Sequence, residues 1–109
     1  MKPELKKIWV KALRSGEYKQ TKKRLCDRNG YCCLGVAYDV LCDGDWLQPE
    51  GLKAWGIRKA RVGAVEYSMI PQSILDEWGL RRDDACWLAE LNDIGVSFDV
   101  IAARIEDEL

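Results

Sequence analysis

The sequence predicts an α+β fold, a small antiparallel β-sheet built on a hairpin and packed by three to four helices. Both ends of the chain carry apolar residues at helical spacing, while residues 18–33 hold two short runs separated by Asn29-Gly30, the dipeptide that favours tight hairpins because both residues accept positive φ. With 109 residues and 48% apolar content the chain suits one globular domain, 1–109, with a single modest core.

Residues 3–14 read as a helix: Leu5, Ile8, Trp9, Ala12 and Leu13 follow i, i+3, i+4, i+7 and i+8 and form one stripe. Lys6, Lys7, Lys11 and Arg14 fall mostly off it, in water. Pro3 suits the first turn, and Ser15-Gly16 stops the helix. Runs at about 18–26 and 31–33 then form the expected hairpin around Asp27-Arg28-Asn29-Gly30. A buried helix follows, with Leu34, Ala37, Tyr38 and Leu41 on one face and Gly35 allowing close backbone approach. Residues 43–70 are broken by turn signals, with a short strand expected to begin at Trp46-Leu47 and another across 64–70. Pro71 opens a short helix that turns Ile74, Leu75 and Trp78 inward and ends at Gly79. Asp83 or Asp84 caps the next helix, which contains Trp87, Leu88 and Leu91. Asn92-Asp93-Ile94-Gly95 ends it, and Ser97 caps a last helix in which Phe98, Ile101, Ala102, Ile105 and Leu109 line one stripe.

No apolar run approaches the ~18–20 residues needed to cross a bilayer. Met1 to Lys7 enters an amphipathic stretch rather than an apolar signal core. A cytoplasmic protein with no membrane partner is therefore expected. The five cysteines, Cys26, Cys32, Cys33, Cys42 and Cys86, are odd in number and lack paired C-x2-4-C spacing. They read as core thiols, and no metal site or cofactor is expected.

The chain has no histidine. This removes Ser-His-Asp and Cys-His nucleophile activation and the usual general base near neutral pH. The carboxylate pairs Asp43/Asp45, Asp76/Glu77 and Asp83/Asp84 sit at turns and helix starts, where acids are ordinary. No phosphate-cradling glycine motif is present. The expectation is a binding protein, not an enzyme.

Charge is informative in its layout. Residues 1–61 carry 14 Lys/Arg against 7 Asp/Glu, a net of +7, and residues 62–109 carry 3 against 11, a net of −8. Such a split suggests internal pairing of the halves or a head-to-tail homo-oligomer, with a basic patch open to an anionic ligand. The overall net charge of −1 disfavours nucleic acid, whose sequence-independent binding needs several unopposed phosphate contacts.

Three sets of residues are candidates for binding. Arg14 carries forked donors suited to a phosphate; if 18–24 is a strand, Tyr18, Gln20 and Lys22 share a face that offers a ring, an amide and a cation, with Arg24 beyond them. The same stretch reads equally as a polar edge strand guarded by lysines. Trp46 and Trp55 lie among turns, where a ring would be available for stacking. Asn92 and Asp93 either form a helix–helix corner or point an amide and a carboxylate at a ligand.

Three stretches resemble a family. Trp9-Val10-Lys11-Ala12-Leu13-Arg14-Ser15-Gly16-Glu17-Tyr18-Lys19-Gln20, Gly30-Tyr31-Cys32-Cys33-Leu34-Gly35-Val36 and Leu91-Asn92-Asp93-Ile94-Gly95-Val96-Ser97-Phe98 look like the hallmarks of small phage- and prophage-encoded proteins, mostly of unassigned function. The resemblance supplies no catalytic residue. It implies, by analogy, a counter-defence factor that sequesters a nucleotide immune messenger of the cyclic oligonucleotide type. The candidates for that ligand are Arg14, Tyr18, Gln20, Lys22, Arg24, Trp46 and Asn92. The alternative is a protein-interaction module that inhibits a host protein through a charged interface.

Overall fold

A computed structural model of the chain describes residues 1–27, 29–42, 46–47, 57–58 and 69–109. Five helices carry the described residues: α1 (Pro3–Arg14), α2 (Cys33–Leu41), α3 (Gln72–Trp78), α4 (Arg82–Asp93) and α5 (Phe98–Glu108). Helix α1 packs on α5 and α2, while α4 packs on α2 and α5, so the core is helix against helix.

This overturns the expected α+β architecture. Among the described residues strands are confined to two-residue pairs: β1 (Cys26–Asp27) with β2 (Gly30–Tyr31), and β3 (Trp46–Leu47) with β4 (Ile57–Arg58). Neither pair offers a face on which helices could pack. The run 18–24 is not a strand; Gln20 makes one isolated bridge to Tyr31. The physical reason lies in its backbone. Lys23 takes a left-handed φ of 65°, which breaks any pleat. The run shares its polar groups between Tyr31, which accepts from Thr21 N–H and donates to Lys19 C=O (2.8 Å each), and the α4–α5 corner, with Lys23 N–H donating to the Asp93 carboxylate (2.8 Å) and Thr21 C=O accepting from the Asn92 amide (2.8 Å). The strand expected across 64–70 falls mostly outside the described residues.

The helices follow local rules. In α1, Pro3 occupies the first turn, and Lys2 N–H donates to Trp78 C=O (3.0 Å), tying the start of α1 to the end of α3. Its inward line is Trp9, Val10 and Leu13, and Ile8 is exposed, so the stripe is rotated from the expected one by about one position. Ser15 ends the helix by donating its hydroxyl to Ala12 C=O (2.7 Å) and accepting from Glu17 N–H (3.1 Å).

Residues 33–38 of α2 are all buried, as befits a helix that is apolar all round. Its N-cap is Cys32, whose sulfur accepts from Gly35 N–H (3.3 Å). Gly35 is required by packing: a Cβ there would lie 1.7 Å from Leu25 C=O. Gly30 meets the same constraint, at 2.2 Å from Lys19 C=O.

Helix α3 matches the expectation, with Pro71 before it, Ile74, Leu75 and Trp78 buried, and Gly79 left-handed after it. Helix α4 starts at Arg82, so Asp83 and Asp84 lie in its first turn rather than capping it; there they face the positive end of the macrodipole. Ser97 caps α5 by accepting from Val100 N–H (3.4 Å), and Phe98, Ile101, Ala102 and Ile105 are buried as expected. No helix among the described residues is long and apolar enough to cross a membrane.

Candidate functional site

Helix α1 buries one face and turns its cations outward. Lys7, Lys11 and Arg14 stand at i, i+4 and i+7, which stacks them on one stripe about 10.5 Å long at 1.5 Å of rise per residue. Lys6 lies beside that stripe. Together with Val10, Ser15 and Glu106 they line a groove of 710 Å³ on the outside of α1. Four cations face one carboxylate there, so the groove is strongly positive. Val10 and the lysine stems supply its apolar wall.

Glu106 reaches the groove from α5. Its Oε1 lies 2.6 Å from an Arg14 guanidinium nitrogen, and both side chains are about half exposed. The hydrogen bond from Arg14 holds the Glu106 carboxyl below the usual carboxylate range, and the same bond raises Arg14. The charge split along the sequence is therefore met in part within the chain, where basic α1 packs on acidic α5.

The structure separates the residues expected to bind together. Arg14 lines the groove. Tyr18 donates its hydroxyl to the Asp39 carboxylate (2.5 Å) and meets Tyr31 edge-on, with ring centroids 4.9 Å apart. Burial first, and then the bond to Asp39, pushes its hydroxyl above the ordinary range. Gln20 donates through Nε2 to Asn92 Oδ1 (2.9 Å) and to Val96 C=O (2.7 Å). Lys22 and Arg24 are exposed, with the Lys22 ammonium beside Gly95. The backbone of Trp46 pairs with Arg58, but its side chain, like all of Trp55, lies outside the described residues.

Asn92 is fully buried. Its Oδ1 accepts from Gln20 Nε2 and Cys33 N–H (3.1 Å), and its Nδ2 donates to Thr21 C=O (2.8 Å) and Asp93 Oδ1 (3.3 Å). All four hydrogen-bonding positions of the amide are used within the chain. The site it builds is a structural junction of the 18–24 run, the start of α2 and the end of α4.

Lys6, Lys7 and Lys11 are groove residues that the sequence reading leaves in water, and Val10 is one that it does not single out. The i, i+4, i+7 spacing of Lys7, Lys11 and Arg14 is the signal that could have found three of its cations. The cysteines are buried apart from Cys86, and burial pushes the Cys32 thiol up to about 12 and Cys33 well above its ordinary value. Among the described residues no cluster of three His, Cys, Asp or Glu could hold a metal ion.

No match is found among curated proteins or among solved structures. A family model described as a domain of unknown function, DUF8296, matches residues 1–78, from the first residue through the last turn of α3. The match covers the groove-bearing helix and more than half of the chain, and the protein belongs to the DUF8296 family.

Proposed function

We propose that the protein is a non-enzymatic binder of a phosphate-bearing nucleotide of the cyclic oligonucleotide type, with the α1 groove as its binding face. The observation that carries this reading is the stacked stripe of Lys7, Lys11 and Arg14, with Lys6 alongside and Glu106 as the one carboxylate among the described residues that line the groove. Guanidinium forks and ammonium groups are the usual partners of phosphates. A groove of 710 Å³ falls within the range that takes a small-molecule ligand. The chain has no histidine to drive hydrolysis, so the ligand would be held and released unaltered.

The resemblance to phage- and prophage-encoded proteins supports a counter-defence role in the host cytoplasm, sequestering an immune messenger. The groove is open on its outer side, which suits a homo-oligomer whose second copy closes it. The acidic turn Glu106, Asp107 and Glu108, exposed beside the groove, favours a second reading: a protein-interaction module that docks on a host protein through both charges.

The test is a thermal-shift screen of the purified protein against cyclic di- and trinucleotides and ADP-ribose derivatives, with the mass of any retained ligand measured after denaturation. Ligand at ~100-fold above its dissociation constant adds roughly 2.7 kcal/mol, a shift of several degrees for a domain of this size. A selective shift with unaltered ligand, lost in Lys7→Glu/Lys11→Glu, is the expected result. No shift across the panel overturns the nucleotide reading. Salt-sensitive capture of one host protein would then favour the interaction module.

A further inference from the structure

We infer that Glu106 is a resident anion of the α1 groove, which a ligand must displace from Arg14, so that the site selects ligands with several anionic groups over single anions. The inference rests on the groove being an anion site. Its geometry is an ion pair made across two helices, Arg14 at the end of α1 and Glu106 in the last turn of α5, at 2.6 Å and with both partners about half exposed. Such a pair opens without disturbing the core, because neither side chain packs into it.

Helix α5 gives Glu106 little support of its own. The macrodipole disfavours acid in a last turn, no basic residue stands in that turn, and Arg104 is paired with Glu108 (3.2 Å). The groups that hold the Glu106 carboxylate are on α1: Arg14 by hydrogen bond, and Lys6 by its charge. Among the described residues no carboxylate pairs with Lys7 or Lys11.

The consequence for binding is an exchange. A single anion reaching Arg14 replaces one carboxylate by another group of similar charge and gains little. A ligand with further anionic groups also engages Lys7 and Lys11, which give up no partner in return. Glu106 therefore removes small anions from competition while leaving the gain from the lysines intact.

The test uses two probes, inorganic phosphate and tripolyphosphate, titrated by calorimetry into the wild-type protein, Glu106→Gln and Lys7→Gln/Lys11→Gln. All three positions are exposed, and a cooperative melting transition confirms that each variant folds. The expected results are wild-type preference for tripolyphosphate, and a gain of up to about fivefold for inorganic phosphate in Glu106→Gln, the range of an exposed ion pair. The preference should narrow in that variant, and the Lys7→Gln/Lys11→Gln variant should lose tripolyphosphate. If Glu106→Gln binds both probes as the wild type does while the lysine variant still weakens tripolyphosphate, the resident anion is refuted and the groove stands. If tripolyphosphate does not bind, or binds the lysine variant equally, the groove itself is refuted as the anion site and the inference falls with it.

Discussion

Replacing Asn92 by alanine should cost the protein a large share of its stability, and the size of the loss follows from the junction the amide builds. The substitution leaves Cys33 N–H without its acceptor in the first turn of a buried helix, where such donors have no partner within the helix. A buried donor left unsatisfied costs about 1–3 kcal/mol. The bonds to Gln20 Nε2 and Thr21 C=O are also lost, at about 0.5–1.5 kcal/mol each, although Gln20 keeps its bond to Val96 C=O. The total is about 2–6 kcal/mol. A domain of this length has roughly 5–15 kcal/mol in all. Urea unfolding of wild type and variant gives the difference directly, provided the slope is unchanged and the transition stays two-state. Ile94→Ala, two residues away and 76% exposed, is the control and should fall within about 0.5 kcal/mol of wild type. A loss below about 1 kcal/mol for Asn92→Ala at constant slope would refute the junction as an organising element.

Three further outcomes are expected. Gly35→Ala places a Cβ 1.7 Å from Leu25 C=O, a backbone atom that cannot swing away, so the variant should show no cooperative thermal transition; a melt within a few degrees of wild type would contradict that packing. Under native conditions at pH 8, iodoacetamide should label Cys86, which is partly exposed, well before Cys32 and Cys33, whose burial raises their pKa values and shields them; peptide mapping reads the order. The lowered pKa of Glu106 means that its pair with Arg14 stabilises the fold above the ordinary carboxylate value, about 4.3, and that this contribution fades as pH falls through the lowered one. Melting temperatures measured from pH 2 to 6 should thus fall less steeply for Glu106→Gln than for wild type.

Much of the helical framework is legible from short-range rules. Pro3 and Ser15-Gly16 bracket α1, Pro71 and Gly79 bracket α3, and Ser97 opens α5, because each of these signals acts on its own few residues. The sheet was misread because alternation in 18–24 is only a permissive pattern. A run of Tyr, Lys, Gln and Thr becomes a strand only when a partner takes its hydrogen bonds along its length, and here Tyr31 takes those of Lys19 C=O and Thr21 N–H while the α4–α5 corner takes Thr21 C=O and Lys23 N–H. Val10 was hidden for a related reason: α1 is clasped by both α2 and α5, so its buried face is wider and differently centred than a single stripe suggests. Glu106, at the end of α5 where the macrodipole disfavours acid, signals a basic partner in the other half of the chain, but that the partner is Arg14 depends on α5 lying against α1.

The stretches that carry the family resemblance converge in space, and their convergence separates fold from chemistry. Trp9 Nε1–H donates to Cys33 C=O (2.9 Å), Gln20 joins Asn92 and Val96, Cys33 N–H donates to Asn92 and the Cys33 thiol to Leu88 C=O (3.5 Å). Gly35 lets α2 close against Leu25. Trp9, Gln20, Cys33, Gly35 and Asn92 thus join α1, the 18–24 run, α2 and the α4–α5 corner into one core. Of the residues in those stretches Val10, Lys11, Arg14 and Ser15 line the groove, while its other cations, Lys6 and Lys7, lie outside them. A groove built from exposed lysines can change its ligand without disturbing the junction beneath it. The activity of this protein should accordingly be sought in the cations on the outside of α1, where the first of those stretches contributes Lys11 and Arg14, not in the buried junction.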